Sequence, residues 1–167
     1  GTGILYTSKT DVREKPSCTN CHKPGSEKTD KARSSHTQHK DKVSCYACHS
    51  GGSYTNCYDC HVGKGATPKP GFYLGLNPKD KKTVTTLRHV PAVRDTLKSA
   101  GITQENYDRV PNYWATATHN IKKRTERTRS CDACHKDRQN FLTKEILIKD
   151  DSKAHDLLIY TPQPIKQ

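Results

Sequence analysis

Methionine is absent from all 167 residues, tryptophan occurs once and phenylalanine twice. Without methionine the chain has no thioether with which to bind a metal. Apolar residues are scarce too, at 31% of the chain with a mean hydropathy of −0.98. No apolar run is long enough to span a bilayer, so a membrane-anchored dehydrogenase is not expected. Taken alone, 28% charged residues and so little apolar surface describe a chain that cannot offset its own conformational entropy. Something other than side chains must supply the core.

What the sequence does hold is eight cysteines, all in one device used four times. "CTNCH" stands at 18–22, "CYACH" at 45–49, "CYDCH" at 57–61 and "CDACH" at 131–135. A disulfide framework explains an even count but not a histidine after every second cysteine. Zinc sites also begin with Cys-x2-Cys, yet zinc has no use for four adjacent histidines. Covalent haem uses every element. Two thiols, three apart on one helical turn, add to the porphyrin vinyl groups, and the following imidazole becomes the proximal iron ligand. The pairs Cys18/Cys21, Cys45/Cys48, Cys57/Cys60 and Cys131/Cys134 are thus read as attachment sites for four covalent haem c groups. His22, His49, His61 and His135 are the proximal ligands.

Four haems leave about 42 residues each. The expected fold is therefore mostly irregular, with short α-helices and little β, wrapped round a stacked tetrahaem core, and the apoprotein is expected to be unfolded. The formal charge of +12 falls to about +8 with four ferric haems and their propionates, and to about +4 on reduction. Much of the basic excess is then spent on propionates. The densest basic run, "KKRTERTRS" at 122–130, reads as a solvated face or propionate clamp, since no nucleic-acid fold signature accompanies it. The missing initiator methionine and the opening Gly1-Thr2-Gly3 suggest a processed, exported chain, because haem attachment to this motif is extracytoplasmic chemistry.

Five histidines remain for four distal positions: His36, His39, His89, His119 and His155. With methionine absent, bis-histidine, low-spin, low-potential irons are expected. The distal set is read as His36, His39, His89 and His119, with His155, in a late apolar tail, as the spare. Residues 1–63 form a three-haem lobe, 64–85 a Pro/Gly/Lys-rich linker and 86–167 a one-haem lobe, all sharing one haem core. Pro91 and Gly101 bracket a predicted helix at 92–99, and Thr103 is a candidate N-cap for another near 104–109. The tail "FLTKEILIKDDSKAHDLLIY" is read as a hairpin or edge strands. The first 63 residues carry three motifs but only His36 and His39 besides, so at least one later histidine must cross to them, within the chain or from a neighbour.

The segment "HTQHKDKVSCYACH", 36–49, resembles the His-x2-His-Lys…Val-x-Cys-x2-Cys-His segment of class III multihaem cytochromes c. That resemblance implies His36 as ligand to the Cys45/Cys48 haem and His39 to a different one. "WATATHNIKKRTERTRSCDACH", 114–135, is similar to segments of larger multihaem surface cytochromes of metal-respiring bacteria and archaea, which implies His119 as distal ligand of the Cys131/Cys134 haem. Haem content, size and spacing together resemble the extracellular tetrahaem cytochromes that polymerise into conductive filaments. The resemblance implies electron transfer, not catalysis, with a head-to-tail copy of the chain as partner, an Fe–His bond crossing the interface, and extracellular or protein redox acceptors. A soluble periplasmic shuttle is the alternative, and a multihaem reductase a weaker one, because five candidate ligands leave no iron that must stay open.

Overall fold

The computed structural model describes residues 5, 17–51, 72–90, 92–116, 118, 120–147 and 151–165. The third motif, with Cys57, Cys60 and His61, lies outside the described residues, as does His119. Regular structure is sparse: a few short helices and one small antiparallel sheet in a mostly irregular chain, as composition leads one to expect. No helix among the described residues is long and apolar enough to cross a membrane.

The chain forms two compact units, Gly1–Lys40 and Asp41–Gln167. In the first, a 3-10 turn at Cys18–Asn20 precedes helix α1, Asp30–His39. Thr29 caps α1 by accepting from the Ala32 N–H at 3.4 Å, and Asp30 places negative charge in the first turn. Arg33 reaches back to the Glu27 carbonyl at 2.6 Å. None of the described residues 17–40 is buried.

The second unit is built on three strands in the order β1-β2-β3: Tyr73–Leu76, Val84–His89 and Tyr113–Ala115. Tyr73 pairs with Leu87, and Leu87 in turn with Ala115. The β1–β2 turn is tied by Asp80, whose carboxylate accepts from the Lys82 and Thr83 N–H groups, both at 2.9 Å. Side chains alternate along a strand, so Leu74, Leu76 and Val84 share one face and Tyr73 and Leu87 the other. The first face packs against Ala47 of helix α2 (Cys45–His49), Phe141 and Cys134. The second packs against Tyr113, Leu142 and Leu158. Short helices α3, Glu126–Arg129, and α4, Asp132–His135, complete the unit. A protein core thus exists here in addition to whatever the porphyrins supply.

Several local expectations change. Residues 73–76 and 84–89, read as linker and flank, are strands, because β-prone Tyr, Leu, Val and Thr outweigh the Pro/Gly signal around them. The 92–99 helix is replaced by turns and a 3-10 segment, Lys98–Ala100, closed by Gly101 at φ +75. Its apolar members Val93 and Leu97 are exposed, so no burial rewards a full α-helix there. The 104–109 helix is a single 3-10 turn, Tyr107–Arg109, and Asn106, not Thr103, precedes it. Among its described residues the tail forms no hairpin: Phe141 makes one isolated bridge with Leu74, and Lys153–Leu158 is a 3-10 helix that lays Leu158 on the sheet.

Candidate haem attachment sites

The three described motifs share one local geometry. In each, the chain makes a tight turn that brings the first cysteine and the histidine together. The His22 N–H donates to the Cys18 carbonyl at 2.9 Å and the His135 N–H to the Cys131 carbonyl at 3.0 Å, while Cys45–His49 is a full helical turn. Serine precedes each turn. Ser17 accepts from Thr19 N–H at 3.3 Å and Ser130 from Asp132 N–H at 3.2 Å. Ser44 instead gives its hydroxyl to Thr85 at 2.9 Å, which ties α2 to β2. The backbone does the same, Ser44 N–H to the Val84 carbonyl and Val84 N–H to that of Lys42, both at 2.8 Å.

Two of the three candidate proximal imidazoles are oriented by a backbone carbonyl. His49 donates through Nδ1 to Lys122 at 3.2 Å, and His135 through Nδ1 to Gln163 at 2.6 Å. This bond selects the tautomer with its lone pair on Nε2, the state a metal-ligating imidazole needs, and raises its basicity. Residues 120–122 form the clamp round the second motif. The Lys122 N–H returns to the His49 carbonyl at 2.8 Å, Ser50 pairs with Ile121, and the Gly51 N–H meets the Asn120 carbonyl at 3.1 Å.

Among the described residues all six cysteines are free thiols, and no group of three or more His, Cys, Asp or Glu could hold a metal ion. Burial pushes the Cys48 thiol up to about 11, and raises Cys134 as well.

The candidate distal histidines fall into two kinds. On α1, His39 donates through Nδ1 to the Ser35 carbonyl at 2.8 Å, and His36 Nδ1 lies 2.5 Å from a Glu27 carboxylate oxygen. Both share the orientation found at His49 and His135. His89 and His155 instead flank the buried Asp151. His89 Nε2 is 3.1 Å from Asp151 Oδ2, and His155 Nδ1 is 3.7 Å from the same oxygen. His155, only 1% exposed, accepts the Asn112 backbone N–H on Nε2 at 2.7 Å and stands edge-on to Tyr113. Burial lowers its pKa, against the pull of Asp151. Burial alone would raise Asp151. The Ser152 N–H, the two histidines and the Tyr107 hydroxyl outweigh it and hold the carboxyl below its usual range. Asp151, Tyr107 and Asn112 gave no sign in the sequence, since their partners lie up to 62 residues away.

A family model described as cytochrome c554 and c-prime matches residues 4–50, the stretch with the first two motifs, His36 and His39. That match supports a c-type cytochrome. No curated protein and no solved structure matches it. The donor chemistry fits covalent haem c at each described motif: paired thiols on one turn, then an imidazole. Haem, once bound, would supply a one-electron carrier, with the paired thiols to tether it and His49 and His135 oriented to ligate through Nε2.

Proposed function

We propose that this cytochrome carries electrons through four covalent haems as a subunit of an extracellular filament with a continuous haem chain. The observation that supports electron transfer most directly is the shared turn of the three described motifs, with Nδ1 of His49 and His135 held on carbonyls. The fourth haem rests on the same pentapeptide at 57–61. Cys57 follows Cys45 by twelve positions, a tether that holds two porphyrins so closely that they suit a wire better than independent redox sites. We read the chain as a carrier and not an enzyme, with bis-histidine irons ligated by His36, His39, His89 and His119.

Ligand arithmetic supports the filament. Three motifs precede residue 63 with only two further histidines among them, and a head-to-tail donor from a neighbouring copy propagates an open helix unless a ring closes. His89 is the proposed crossing ligand. To ligate through Nε2 its ring exchanges the Asp151 carboxylate for iron. Intact mass and the pyridine haemochrome should give four haems, EPR only low-spin ferric signals, and negative-stain images filaments. His89→Ala should give soluble protomers with four covalent haems, one now high-spin. Monomeric native protein with all irons low-spin returns the function to a soluble periplasmic shuttle, and a high-spin signal of one haem per native chain reopens the enzyme.

A further inference from the structure

The second and fourth motifs are 86 residues apart by their second cysteines, yet one face of the sheet receives both. Ala47 of α2 is buried in the cluster with Leu74, Val84 and Phe141, and Cys134 of α4 packs on that same cluster. Helix α3 is the link. Thr125, at its N-cap, donates its hydroxyl to the Cys48 carbonyl at 2.5 Å, and its own N–H meets Thr128 Oγ1 in a capping box. Two residues on, the Arg127 guanidinium donates through Nη2 to the Ser50 carbonyl, directly after His49, and to Ser50 Oγ at 3.1 Å. Arg127 belongs to the basic run read as a solvated face. Its neighbours Lys122, Lys123 and Arg124 are exposed as expected, but Arg127 turns inward between the two motifs.

We propose that Arg127 is a positioning residue that joins the Cys45/Cys48 and Cys131/Cys134 haem sites into one pair and sets the potential of both. The Cys45/Cys48 haem then has two neighbours, one through the twelve-residue leash to Cys57 and one across Arg127, which makes it a junction of the cluster. An arginine is never deprotonated in a protein, so its charge is fixed. A fixed positive charge in a partly buried setting disfavours the extra charge of a ferric core, and so raises potential. Ser50 and Thr125 hold that charge in place. The inference rests on the multihaem reading above and adds the spatial order that reading leaves open.

Spectroelectrochemical titration of the holoprotein and its Arg127→Gln variant tests it. Two of the four macroscopic potentials should shift negative and the other two hold, with haem count unchanged by intact mass. Arg127→Lys, which restores the charge, should return both toward the native values. Arg127→Met keeps the packed stem and carries the same expectation as Gln if the Gln variant does not fold. Four haems present with no potential moved, or all four moved alike, overturn the inference alone. A native mass short of four haems overturns the multihaem reading and this inference with it.

Discussion

His135 donates its Nδ1 hydrogen to the carbonyl of Gln163, 2.6 Å away and 28 residues later in the chain. An imidazole that donates in this way is a stronger σ-donor to the metal, which favours the ferric state. A chain shortened after Thr161 loses the acceptor without touching either thioether. We expect the Cys131/Cys134 haem to stay attached and its potential to rise, opposite in sign to the Arg127→Gln effect. Spectroelectrochemistry of the shortened holoprotein checks this. An unchanged potential would show that the bond does no electronic tuning.

Gly75 sits in β1 where the 3-10 helix of the tail crosses the sheet. A Cβ there would lie 2.6 Å from the Leu158 carbonyl oxygen and 2.7 Å from Leu87 Cδ1. Backbone and a fully buried leucine cannot both retreat, so Gly75→Ala forces the tail off the sheet. Overpacking of this kind costs about 1–3 kcal/mol. Denaturant unfolding followed at Trp114 should show a lower midpoint, and a midpoint at or above the native one would contradict the contact.

Arg94 grips Asp108 with two nitrogens, at 2.7 and 3.1 Å, while stacking on Tyr107. Those hydrogen bonds, followed by the Lys153 N–H, hold the Asp108 carboxyl down at about 2. A depressed folded pKa contributes stability that is complete above the ordinary aspartate value and is lost as pH falls toward 2. Native protein should therefore lose stability between about pH 4 and pH 2 more steeply than Asp108→Asn, as acid titrations by far-UV circular dichroism would record. Parallel curves would remove this pair from the acid response. The pair is exposed, so its share of the stability at neutral pH is small.

How much of this was legible beforehand divides by range. The haem motifs are local, and a spacing of three between cysteines followed by histidine dictates its own turn at 18–22, 45–49 and 131–135. The strands were hidden because Gly71, Pro78 and three lysines surround short β-prone runs, and only the pairing of Leu74 with Thr86 turns them into a sheet. Pro91 and Gly101 suggested a helix at 92–99, but such brackets are silent on whether anything waits to bury Val93 and Leu97. The Asp151 network and the inward turn of Arg127 depend on residues brought from afar, so composition could describe the basic run and still misplace its half-buried guanidinium.

The two units differ in what holds them, and the difference can be tested with one variant. The described part of the first unit, residues 17–40, buries no side chain. Helix α1 has ten residues, a length at which an isolated helix is marginal in water even with a good cap. We read porphyrin as its apolar partner. The second unit has Leu87, Leu142 and Leu158 essentially inaccessible around its sheet. The sequence alone led to an apoprotein without structure, whereas this core argues for a graded loss. Cys18→Ala with Cys21→Ala should therefore unfold α1 and expose Lys28, Lys31 and Arg33 to trypsin, while a fragment beginning near Asp41 survives with its remaining haems. Peptide mapping after brief digestion reads both halves of the outcome. Protection retained at Lys28 through Arg33 would mean that α1 stands without its haem. Digestion of the whole chain at the same rate would mean that the haems are the only core.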